Sequence, residues 1–165
     1  MKITETQLRK VIREQLEASK GVIKTLKNRS GAVRVQMTPA QASAYAVFPK
    51  GLGTEFGQGF DFYATGGQVK EIKWGKRTGY ADKLKYKIQD ALKGMGFKYK
   101  NERQGGSPDG SYHNSAVTYV DAEGNEFTWA SYYGVTRYNN SFNATLKFAN
   151  PLQVIDDPKG TVRYT

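Results

Sequence analysis

Cysteine is absent from this chain, and histidine occurs once, at His113. Without cysteine neither a disulfide framework nor a thiolate metal site can form, and one imidazole excludes a multi-histidine metal centre. Long apolar runs are missing too, since no stretch approaches the roughly 20 residues that span a bilayer. Residues 1–17 carry charges throughout and lack the apolar centre of a secretory signal. The expectation is therefore no metal, no cofactor, no membrane contact and no secretion. On that view the sequons at Asn28, Asn139 and Asn143 are chance matches.

Negative charge is also scarce. Against 25 Lys and Arg stand 15 Asp and Glu, for a net charge of +10. The excess is concentrated: residues 66–103 hold eleven basic and four acidic side chains, whereas residues 104–165 hold four and six. Such asymmetry bears on polyanionic partners and says nothing of fold. What the chain does have is aromatic, with 11 Tyr and 8 Phe beside 18 Gly. That composition suits twisted antiparallel strands better than a helical bundle.

The element pattern predicts an α+β protein, a mainly antiparallel twisted sheet packed by one main helix, plus an N-terminal amphipathic helix. Thr4 and Gln7 form a capping box, and Leu8, Val11, Ile12 and Leu16 repeat on one helical face opposite Arg9, Lys10 and Arg13. Val22, Ile23 and Leu26 extend this reading to a further helical turn or two, ending near Gly31. Residues 1–31 are thus expected to be a helical appendage, 32–155 a single α+β domain and 156–165 a polar tail. Within the domain, Thr65-Gly66-Gly67 reads as a hairpin turn, Gly75–Gly79 as a basic loop, and residues 81–93 as the main helix. Phe142, Ala144, Leu146 and Phe148 alternate with Asn143, Thr145 and Lys147, a strand that Asn150-Pro151 is expected to end.

No catalytic constellation stands out, so no catalytic residue is expected. The carboxylates Asp121, Glu123 and Glu126 surround a turn, and His113 sits beside a Gly/Ser-rich loop. The glycine clusters match neither phosphate-cradling spacing. The basic segment is the better candidate. Lys70, Lys73, Lys76 and Arg77 lie on a hairpin and its loop, Lys83 and Lys87 on the following helix, and Lys98 and Lys100 on one strand, with Trp74 interleaved. Cations of this kind neutralise phosphates, and exposed aromatics stack on unpaired bases. Lysine outnumbers arginine, which favours sequence-tolerant binding over base readout.

The opening Met1–Glu17, MKITETQLRKVIREQLE, resembles a leader shared by many proteins of large marine tailed phages. It is similar in character to the capsid-targeting leaders of T-even-type internal proteins, which a prohead protease cuts after an [IL]-x-E motif. Ile12-Arg13-Glu14 fits that motif, with Gln15 where the motif has a small residue. The resemblance implies processing at Glu14 and docking through Leu8, Val11, Ile12 and Leu16. A fainter likeness joins Leu146–Leu152 to a strand of phage ADP-ribosyltransferase-like domains, whose Arg/His, Ser-Thr-Ser and Glu-x-Glu motifs are not recognisable here.

The resulting expectation is a non-enzymatic phage accessory protein that binds nucleic acid, DNA before RNA, through a basic surface. Its expected place is the host cytoplasm or the virion interior, with capsid or prohead proteins as further partners. The alternatives are an inhibitor of a host defence factor, its basic face meeting an acidic host protein, and a degenerate ADP-ribosyltransferase-like enzyme.

Overall fold

The computed structural model describes residues 4–19, 21–28, 31–46, 60–77, 81–134 and 141–157, without the side chains of 14–19, 28, 76–77 and 81–84. Helix α1 (Glu5–Ser19) starts as its sequence requires. The Thr4 N–H donates to Gln7 Oε1 at 3.0 Å and the Gln7 N–H to Thr4 Oγ1 at 3.3 Å, closing the capping box. Residues 4–13 are exposed all round, including Leu8, Val11 and Ile12. The staple expected from Ile3 lies outside the described residues.

The segment after α1 corrects an expectation. Val22–Asn28 is strand β1, paired antiparallel with β2 (Gly31–Met37), rather than further helix. Tertiary pairing overrides the helical spacing of Val22, Ile23 and Leu26. In the strand Leu26 is fully buried opposite Val33, while Thr25 and Lys27 on the other face are exposed. The sheet therefore begins at Val22, inside the stretch assigned to the appendage.

A second capping box opens α2 (Pro39–Ala46). The Thr38 N–H donates to Gln41 Oε1 at 2.9 Å, and Gln41 Nε2 donates to the Asn150 carbonyl at 2.6 Å. Strands β3 (Asp61–Thr65) and β4 (Gln68–Arg77) meet at Gly66-Gly67, both with positive φ (57° and 76°). Two left-handed residues in succession are what a two-residue hairpin turn demands, and glycine meets that demand without strain. β4 continues through Arg77, which pairs with Ser141, so the expected loop at 75–77 is strand. Helix α3 (Ala81–Gly94) leads to β5 (Lys98–Gly106), β6 (Tyr112–Val120), β7 (Glu126–Gly134) and β8 (Ser141–Asp156).

The sheet is antiparallel throughout, in the order β1-β2-β8-β7-β6-β5, with β4 on the other edge of β8 and β3 beyond it. β8 is its spine. Residues 141–147 run between β4 and β7, and Gln153 runs between Gln68 of β4 and Gln36 of β2. Between those halves the register jumps, with β8 passing from Lys147 to Leu152 while β4 moves only from Glu71 to Val69. Pro151 falls in this irregular stretch, where its missing N–H costs no regular ladder bond. The strand thus continues past the point where Pro151 was expected to end it. Polar side chains satisfy the bulge: the Ala149 N–H donates to Asn125 Oδ1 at 3.0 Å, and Asp121 holds Asn125 through its Nδ2 at 2.9 Å.

One sheet face is the core. Phe62, Ile72, Trp74, Val117, Tyr119, Phe127, Trp129, Phe142, Ala144 and Leu146 all point inward, and Trp129 stacks on Phe142 at 4.6 Å. Two helices contribute to that core rather than one. Ile88 and Leu92 of α3 are buried, as are Gln41 and Ala44 of α2. The opposite face of β4–β8 has no described element against it, and its residues are half-buried or exposed.

Candidate nucleic-acid interface

Antiparallel register decides which of the expected basic residues share a surface. Lys73, Thr145, Thr128, Thr118 and Asn101 are successive cross-strand partners, so they form one row on the outer face. Lys98, Val120, Glu126, Lys147 and Glu71 form the next. Lys100 occupies the bulge between Tyr99 and Asn101, and its Nζ pairs with Glu126 on the same face. Lys73 pairs with Glu71 at 2.8 Å. Lys70 is exposed near the β3–β4 turn.

The remaining members separate. Lys87 is exposed on α3, whose Ile88 and Leu92 are buried against the inner face, so the sheet stands between Lys87 and Lys73. Trp74 is only 6% exposed, packed 6.0 Å from the Tyr45 ring and 5.8 Å from Phe60. The expected stacking platform is a core residue. It pairs with Ala144 on the inward set of β4, and period two leaves it no route to the outer face. Lys76 and Arg77 pair through their backbones with Phe142 and Ser141, and Lys83 lies on α3. The side chains of these three are outside the description, as are those of Glu14 and Leu16 in α1.

The sheet brings together a different set. Arg103, Ala116, Ala130, Asn143 and Gly75 are cross-strand partners in one outer row, and Gly105, Asn114, Tyr132 and Ser141 in the next. Between them lies an open trough of about 330 Å³ lined by Arg103, Asn114, Ala116, Ala130, Tyr132 and Asn143. Tyr132 stacks on Tyr112, with ring centroids 5.8 Å apart and planes at 22°. Sequence alternation already placed Asn143 and Lys147 outward. Arg103, Asn114, Tyr112 and Tyr132 were missed, because nothing local says that three strands set them side by side.

Electrostatics on this face are uneven. Among the described residues Lys98, Arg103 and Lys147 have no acidic partner, whereas Lys73 and Lys100 do. On the inward side of the edge strand, away from this face, Ser115 Oγ donates to Glu102 Oε1 at 2.8 Å, and Gln104 Nε2 donates to the same oxygen at 3.2 Å. The two bonds hold the Glu102 carboxyl below its usual range. In the β5–β6 turn, bonds from Ser107 and Ser111 lower Asp109 to about 2. Both carboxylates are therefore ionised at neutral pH. Among the described residues no group of three or more His, Asp or Glu could hold a metal, and no helix is long and apolar enough to cross a membrane.

No family model, no curated protein and no solved structure matches this chain.

Proposed function

We propose that this protein is a non-enzymatic nucleic-acid-binding protein of phage origin whose contact surface is the outer sheet face of β4–β8. The observation that carries the reading is the placement of Lys98, Arg103 and Lys147, three cations without acidic partners among the described residues, on one open face. Rows on one sheet face are about 7 Å apart and strands about 4.8 Å apart. Lys98 and Lys147 are three strands apart in one row and Arg103 is two rows away on the strand of Lys98, so the widest separation, between Arg103 and Lys147, is about 20 Å, the reach of a few nucleotides. Lysine-dominated contact to phosphates gives affinity without strong sequence preference.

Titrating a labelled single strand at rising salt tests the reading. Affinity should fall log-linearly with salt, because each neutralised phosphate releases counterions. Absence of binding at low salt overturns it. An acidic protein captured in place of nucleic acid would favour the inhibitor alternative.

A second reading concerns α1, as a helix that docks on a capsid or prohead protein. Its support is the resemblance of the leader together with Leu8, Val11 and Ile12, which stay 51%, 46% and 48% exposed. Ile12→Asp should then abolish association with particles and leave the denaturation midpoint of the protein unchanged. A fall in that midpoint would mark α1 as part of the core instead.

A further inference from the structure

We infer that the trough between Arg103 and Asn143 is a subsite for one unpaired nucleobase, which makes the surface selective for single strands; the inference rests on the nucleic-acid reading of the same face. The floor is apolar and flat, because Ala116 and Ala130 are the smallest side chains that a pleated surface can carry there while still burying its backbone. Glycine stands on the strands to either side, at Gly75 and Gly105. A Cβ at Gly75 would lie 2.7 Å from Asn143 Oδ1, and one at Gly105 would lie 2.5 Å from Asn114 Oδ1. The two asparagine side chains therefore recline over the neighbouring strands, a position open to them only because those strands have no Cβ at these points.

The polar rim matches a base in chemistry as well as in shape. A carboxamide offers one acceptor and two donors in a plane, the complement of the mixed donor–acceptor edges of the bases. Asn114 and Asn143 present two such groups from different sides of the floor. Tyr132 closes one end with a ring held by its stack on Tyr112, so little side-chain freedom is lost when a base packs against it. Arg103 stands at the β5 edge, where a guanidinium can meet the phosphate of the bound nucleotide. A paired base could not enter, since its polar edge is occupied and its faces are covered by stacking neighbours.

Ala130→Leu fills the trough without altering charge, and Asn114→Ala with Asn143→Ala removes the amides. The probes are a fluorescent dT oligonucleotide, its duplex with dA, and thymidine monophosphate. The subsite predicts that each variant weakens single-strand binding about tenfold, the order of one lost base contact, and leaves the salt slope and duplex binding unchanged. Variants that bind the single strand like the wild type overturn the subsite while leaving the basic face intact. A wild type that binds neither strand form overturns the face and the subsite together. Monophosphate binding as tight as that of the oligonucleotide also overturns it, in favour of a small-molecule site. Thermal unfolding of each variant guards against misreading an unfolded protein, and the two variants test the trough independently, one by filling it and one by removing its amides.

Discussion

Trp74→Ala should destabilise the protein by about 3–5 kcal/mol, the usual consequence of emptying a large aromatic site in a packed core. The indole is 6% exposed and touches Tyr45 and Phe60, and its strand neighbours Ile72 and Val69 are fully buried. Since small domains have only about 5–15 kcal/mol in total, that loss removes a large share of the stability. Chemical denaturation monitored by circular dichroism reads it as a fall in midpoint with little change in slope. Any loss of nucleic-acid binding should track the unfolded fraction. A variant of wild-type stability that selectively loses single-strand binding would put the indole on the surface and contradict this packing.

Replacing Lys98, Arg103 and Lys147 together by alanine should produce the second large effect. Three phosphate contacts at about 0.7 counterion each on a single strand correspond to a salt slope flatter by about two units. Affinity at low salt should fall roughly ten- to a hundredfold for all sequences alike. Stability should stay within about 0.5 kcal/mol, because all three side chains are exposed and lack acidic partners among the described residues. Lys87→Ala with Lys93→Ala is the control, removing two exposed cations from α3, behind the sheet. Equal damage from the control would mean that general positive charge, and not this face, governs binding.

Much of the architecture can be read from local pattern. The Thr4 box, the Gly66-Gly67 turn, the α3 repeat and the alternation of β8 each depend on residues a few positions apart. What local pattern misjudged was decided at long range. Val22–Asn28 has enough helical spacing to mislead, but its partner across the hairpin makes it a strand. Pro151 reads as a stop until Asn125, Gln41 and β2 supply partners for the bulge from 24 or more residues away. Trp74 shows the same limit at the site. Its basic neighbours suggest a surface, and only pairing with Ala144, some seventy residues later, assigns it to the inner face. The basic segment of 66–103 is real as composition. The sheet divides it, sending Lys73, Lys98, Lys100 and Arg103 one way and Lys87 the other. The trough was illegible for the same reason, since its walls come from β5, β6, β7 and β8.

The central claim is that nucleic acid meets the outer face of β4–β8. Backbone amide chemical-shift mapping with an unlabelled dT oligonucleotide tests it most directly. The account predicts saturable shifts clustered at Lys98, Arg103, Asn114, Tyr132, Asn143 and Lys147, with α2 and α3 unaffected. Shifts concentrated on α3, or no shifts at low salt, would contradict it.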